Sequence, residues 1–318
     1  AFAVASCAAL VHRPDAAVAE AEKQKSAALE AERRRQEQRQ AQSPQARSVA
    51  TGSPRATAAA DTPLDELFRS FGTPPEIKTK VDLRTRMSQL GLWVKNQGGV
   101  PSCSIFAIVG ALEYQTAELT GAAERFSDDY LLWATRKTLN RPPPPVRVSI
   151  GDVVDEASKE EGYALTEVVA ALRSYGIPTR QRVGPNYSAN QTPSPEIIVE
   201  ARASRRVSVH MIPGRDNASQ IENIVHALNA GIPVPIGIAW PVDYNWRTGY
   251  LDKQAVHQDG GHAVTLVGYT SKSGRLEDTV FSFKNSYGPR WGIDGYGHAT
   301  HEFLSNHLQA AVVLEVQR

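Results

Sequence analysis

Cysteine is scarce in this chain. The 318 residues contain two, Cys7 and Cys103. They lie in such different surroundings that no disulfide between them is expected, and a stapled small-domain scaffold is excluded. An excess of charge of one sign is also missing. Lys and Arg number 35, Asp and Glu 34, and the net charge is +1. No global field therefore favours nucleic acid or an acidic membrane surface, and no nucleic-acid partner is expected. No apolar run is long enough to cross a bilayer. Internal repeats are absent too, so a solenoid is not the architecture. What remains is a chain long enough for one large domain or two small ones with a sizeable core.

Its composition changes along its length. Residues 1–10, AFAVASCAAL, are small and apolar, like the tail of a secretory signal. Val4-Ala5-Ser6-Cys7 also resembles a bacterial lipobox, which would make Cys7 a lipid-carrying membrane tether and the protein extracytoplasmic, secreted or lipid-anchored at the cell envelope. A discarded signal with an incidental cysteine is the other account. Residues 11–76 are expected to be a tether and linker. Ala, Glu, Lys, Arg and Gln dominate residues 15–42, with Val18 and Leu29 as the larger apolar exceptions, so a helix there has no face to bury. Ser, Pro, Ala and Thr follow, as in a flexible connector. Asp65–Phe71 has the pattern of a short amphipathic helix docked on the domain.

From Ile77 to the end the composition is globular. Helices are expected from Cys103 to about Leu119, ended by Gly121; over DDYLLWATRKTL, capped by Ser127; over LTEVVAALRSY, ended by Gly176 and Pro178; and from roughly Ser219 to Asn229. RPPPP, Arg141–Pro145, reads as a surface loop and insertion, and residues 184–195 as loop. Strands are expected at VSVHMI, VPIGIAW, HAVTLVGY and TVFSFKN, where Val, Ile, Phe and Tyr alternate or run together. The first half is thus helical and the second strand-rich, with an entry strand or turn at Val81-Asp82-Leu83-Arg84.

The reactive chemistry concentrates in three places. Cys103 follows a Gly/Pro-rich turn and opens a helix, where unsatisfied N–H groups and the positive end of the helix dipole favour thiolate. Gln97, six residues earlier, supplies an amide donor. His262 follows two glycines at the start of a strand, and Asn285 follows the next strand. Paired antiparallel, those strands bring His262 and Asn285 to one end. An imidazole can take the thiol proton, and an amide carbonyl can fix the ring without adding charge. A buried apolar cysteine is the alternative for Cys103. His257 is a rival base. His298, His301 and His307 with Glu302 lack tetrahedral spacing, so no metal and no cofactor are expected. Trp240 and Trp246 fit a cleft wall or ordinary packing equally well.

VDLR, VKNQGGVPSC, GHAVTLVGY and KNSYGPRWGIDGYG occur in this order, and together they resemble the papain-like cysteine peptidases. The chain looks like a divergent, bacterial-type member without the usual disulfides. The resemblance covers roughly Lys80 to Ala299. It implies an α+β, two-lobed fold, a helical lobe plus an antiparallel β-barrel-like lobe, with the active site in the cleft between them. It also implies a Cys-His-Asn triad of Cys103, His262 and Asn285, with Gln97 and the Cys103 N–H as oxyanion donors. Glu161-Gly162-Tyr163 resembles the segment that binds substrate backbone, making Gly162 and Tyr163 substrate contacts. Gly261, just before His262, leaves room for a bulky substrate side chain, and Gly237 is a candidate wall of the same pocket. The implied activity is hydrolysis of peptide or protein substrates by a monomer. A non-catalytic binding module and a thiol acyltransferase or amidase are the other outcomes of the same fold.

Several positions depart from the family pattern. Val100 stands where the family has a disulfide cysteine, and its partner near Glu160 is missing too. Ser104 and Tyr287 replace tryptophans, whereas Trp291 keeps one. Cys103 and His262 are 159 residues apart, above the ~130–150 typical of this layout.

Overall fold

The computed structural model describes residues 63–142, 162–204 and 207–316. The expectations for Cys7, the tether before residue 63, most of the proline loop and Glu161 lie outside the described residues. No helix among those described is long and apolar enough to cross a membrane.

Nine helices are described: α1 (Pro63–Ser70), α2 (Arg84–Gln89), α3 (Cys103–Thr120), α4 (Asp128–Leu139), α5 (Leu165–Tyr175), α6 (Arg180–Val183), α7 (Pro195–Ser204), α8 (Asn217–Asn229) and α9 (His301–His307). The strands are β1 (Lys80–Asp82), β2 (Val207–Met211), β3 (Val234–Pro241), β4 (Tyr250–Leu251), β5 (Val256–Ser271), β6 (Thr279–Lys284), β7 (Tyr296–Thr300) and β8 (Leu308–Val316).

Helix α3 is buried on most sides, because it lies among other helices and against the sheet. Ile105, Ile108, Val109 and Leu112 are fully buried. Its end is set by Gly121, at φ 74°, whose N–H donates to the Ala117 carbonyl. This left-handed cap suits glycine, which has no Cβ to clash. Ser127 caps α4 by accepting from the N–H of Tyr130. Glu167 reaches back to the N–H of Ala164 at 2.8 Å and fixes the start of α5. These helices share one core around Ile108, Leu131, Val168 and Leu172.

The strands form one sheet in the order β2-β8-β3-β5-β6-β7-β4, with β1 added to β5. The pairs are antiparallel except β4–β7, which is parallel, so the sheet is mixed rather than wholly antiparallel. Residues 242–249 carry the chain to the two-residue strand β4, which can then run alongside β7. Helices α1, α8 and α9 bury Leu67, Ile221, Ile224 and Phe303 in a second core with Val264, Phe281 and Phe283 of the sheet. The two cores are the two lobes of an α+β papain-like fold. Strand β1 approaches β5 closely at Gly268 (φ 152°), where a Cβ would sit 2.1 Å from the Val81 carbonyl oxygen.

The four helices expected from sequence in the domain and the docked α1 are present. Helices α2, α6, α7 and α9 and strands β4, β7 and β8 were not expected. Helix α7 begins inside the stretch read as loop: Ser194 accepts from the N–H of Ile197 at 3.5 Å and Pro195 occupies the first turn. That Ser-Pro-Glu start is a helix signal that the surrounding prolines obscure.

Candidate active site

The β5–β6 hairpin sets the register of the site. Thr265 lies opposite Lys284, so His262 and Asn285 fall just beyond the paired region at the same end. His262 Nε2 lies 2.7 Å from Asn285 Oδ1, and both residues are buried. The N–H of Ser286 donates to the same Oδ1 at 2.8 Å. The backbone N–H can only donate, so it identifies that atom as the carbonyl oxygen, and His262 Nε2 must donate to it. In the neutral ring the proton then sits on Nε2 and Nδ1 is the acceptor.

Aromatic rings enclose the imidazole. Tyr287 stacks on it with centroids 4.7 Å apart and planes at 27°. Trp240 presents its edge at 4.3 Å. Trp240 comes from β3, where Ile238 pairs with His262 and Ala239 with Gly261. Tyr287 and Trp291 each contact Trp240. The Trp291 indole N–H reaches the Tyr244 hydroxyl at 3.2 Å, and burial raises the Tyr244 phenol above its ordinary value. Trp240 was ambiguous in sequence because only the β3–β5 pairing reveals what it touches.

The loop before α3 is stitched to the segment after β6. Gln97 N–H donates to the Ser286 carbonyl at 2.8 Å, and Gly288 N–H to the Lys95 carbonyl at 3.0 Å. Ser286 Oγ donates to Gln97 Oε1 at 2.5 Å. Gln97 Nε2 uses one hydrogen on the Val100 carbonyl at 2.8 Å; an amide nitrogen carries a second. Cys103 opens α3 three residues beyond Val100 and is buried. Thr265 ties β5 to α3 through the Ala107 carbonyl at 3.0 Å.

Gly162 and Tyr163 are both buried. The Tyr163 ring belongs to the helical core, and Arg136 Nε donates to its hydroxyl at 3.3 Å. Its carbonyl accepts from Ser104 Oγ. Gly162 accepts from Arg141 through its carbonyl at 3.4 Å. Gly261 is buried within the sheet opposite Ala239. A Cβ on Gly237 would meet Ala310 and Leu165 at 3.9 Å. His257 is exposed, unlike His262. His298 contacts Ser282 Oγ at 3.2 Å and the His307 ring lies tilted against Phe303; no group of three metal-ligating side chains converges among the described residues.

Behind Asn285 lies a buried ion cluster that the sequence did not suggest. Lys95 Nζ donates to Glu113 at 2.8 Å and to Asp128 at 2.8 Å. Arg125 reaches Glu113 at 3.1 Å. Lys284 donates to the Leu92 carbonyl at 3.0 Å. Burial pulls the Lys284 amine down to about 8, and Glu113 partly opposes this. Burial likewise pushes the Asp128 carboxyl up, against the pull of Lys95.

Comparison with known proteins agrees with this architecture. A sequence model described as papain family cysteine protease matches residues 77–311. The chain belongs to the papain family of cysteine proteases. An uncharacterized peptidase C1-like protein of Acanthamoeba polyphaga mimivirus is 24% identical over 166 residues, covering 46% of this chain and 49% of that one. The viral cathepsin of Orgyia pseudotsugata multicapsid polyhedrosis virus is 26% identical over 208 residues, 64% of this chain and 54% of its own. The chain thus spans about half the length of these curated relatives. Xylellain, a cysteine protease from Xylella fastidiosa, shares the fold with a TM-score of 0.56 at 20% identity, over 87% of this chain and 100% of that chain.

Proposed function

We propose that the chain is a cysteine peptidase that cleaves peptide bonds through Cys103, His262 and Asn285. The observation that carries this reading is the buried 2.7 Å hydrogen bond from His262 Nε2 to Asn285 Oδ1. It commits one ring nitrogen to the amide and keeps Nδ1 as a proton acceptor, which is what a thiol nucleophile needs from its base.

In this mechanism the Cys103 proton passes to His262 Nδ1, and Sγ attacks the substrate carbonyl carbon. The resulting oxyanion receives hydrogen bonds from the Cys103 N–H and the second Nε2 hydrogen of Gln97. The imidazolium returns its proton to the departing amine as the C–N bond breaks, leaving a thioester. Water, deprotonated by His262, then hydrolyses the thioester and restores the thiol.

Alkylation tests the ion pair. Iodoacetamide is expected to modify Cys103 rapidly at about pH 6, and His262→Ala to abolish that speed; sluggish modification typical of a thiol with pKa ~8.5 overturns the reading. Cys103→Ala is expected to end peptide hydrolysis with the fold intact. An extracytoplasmic chain held by lipid on Cys7 is a separate proposal, supported by Val4-Ala5-Ser6-Cys7. Mass spectrometry of the mature N-terminus tests it, and an unmodified Cys7 refutes it.

A further inference from the structure

Asn285 Nδ2 is buried and makes no hydrogen bond to any described residue. Flipping the amide does not help, because Oδ1 already accepts from His262 and from the Ser286 N–H. A buried amide N–H without an acceptor is destabilising, and more so in a low-dielectric interior. Beside it, between α3 and the β5–β6 hairpin, is a cavity of about 20 Å³ lined by Asn285, Lys284, Lys95, Glu113, Thr265 and Gly110, among others. A buried water needs roughly 10–15 Å³ and two to four polar partners. The cavity meets both conditions.

We propose that this cavity binds one water molecule, which accepts from Asn285 Nδ2 and joins the amide to the Lys95–Glu113–Lys284 cluster. Lys284 offers further donors beyond its bond to the Leu92 carbonyl, and the Glu113 carboxylate and the hydroxyl of Thr265 offer acceptors. The water completes the hydrogen bonding of the group that orients His262. Only that last consequence rests on the peptidase reading; the site itself rests on geometry.

A crystal structure of the full chain tests it. The expected result is a solvent peak within hydrogen-bond reach of Asn285 Nδ2. A well-ordered Asn285 with no such peak overturns the proposal, whether or not the chain hydrolyses peptides. Gly110→Ala gives an independent readout. The added Cβ meets nothing nearer than Thr265 Oγ1 at 3.9 Å. Without a water, alanine in the middle of a helix raises Tm by roughly 2–4 °C. With one, the methyl group takes the water's space, the solvent peak disappears and Tm falls. A Tm rise with no solvent peak in either crystal refutes the site.

Discussion

The phenol of Tyr287 lies almost parallel to the imidazole of His262, and its hydroxyl is 3.3 Å from Nδ1. A hydrogen bond of that length is a weak one. The ring, rather than the oxygen, should therefore carry the effect of Tyr287, by covering the His262–Asn285 bond. An aromatic pair is worth about 0.5–1.5 kcal/mol. Tyr287→Phe should retain kcat/KM within about 3-fold, and Tyr287→Ala should lose about 10-fold. Steady-state kinetics on one peptide checks both; a Phe variant as weak as Ala would move the effect to the hydroxyl.

Gln97 is anchored by Ser286 and by the Val100 carbonyl. Gln97→Ala is expected to lower kcat by roughly 100- to 1000-fold with KM little changed, as for removal of one oxyanion donor. Ser286→Ala should show a smaller loss of the same kind. If KM rises and kcat holds, Gln97 binds substrate instead.

Ser104 donates to the carbonyl of Tyr163, and both residues are buried. Ser104→Ala leaves that carbonyl without its hydroxyl donor and should cost about 1–3 kcal/mol of unfolding free energy. Urea denaturation measures it, and an unchanged midpoint would show that the carbonyl finds another donor.

Lys284 has a folded value of about 8 against an ordinary 10.5. Between these values the unfolded chain binds more protons, so this group makes stability rise with pH from about 8 to about 10.5. Glu113, Asp128, Lys95 and Arg125 face it and modulate the step. Lys284→Met should remove that rise and be neutral or stabilising at pH 7, because Lys95 and Arg125 still face the two carboxylates. Urea midpoints measured for both proteins across this range compare the slopes; parallel curves would exclude Lys284 as the source.

Much of the candidate site's arrangement was legible because its parts are local. The thiol opens a helix after a Gly/Pro turn, and His262 and Asn285 flank a hairpin whose register follows from two apolar strands. What was not legible depends on long-range pairing. Trp240 meets His262 only because β3 lies beside β5, and Glu113 meets Lys95 only once the loop folds onto α3. Strand β8 sits between β2 and β3 although they are distant in sequence, an order that no local pattern encodes. Tyr163 is a further case: its ring fills the helical core, a placement that depends on α4 and α5 packing around it and that no local pattern encodes.

The two backbone bonds that join Lys95 and Gln97 to Ser286 and Gly288 bind segments from the two halves of the chain into one cooperative unit. Gln97 lies on one side of this ladder, and Asn285 and Tyr287 lie on the other. Local opening there would release all three together, so the reactive centre should be lost as a single event rather than fade residue by residue.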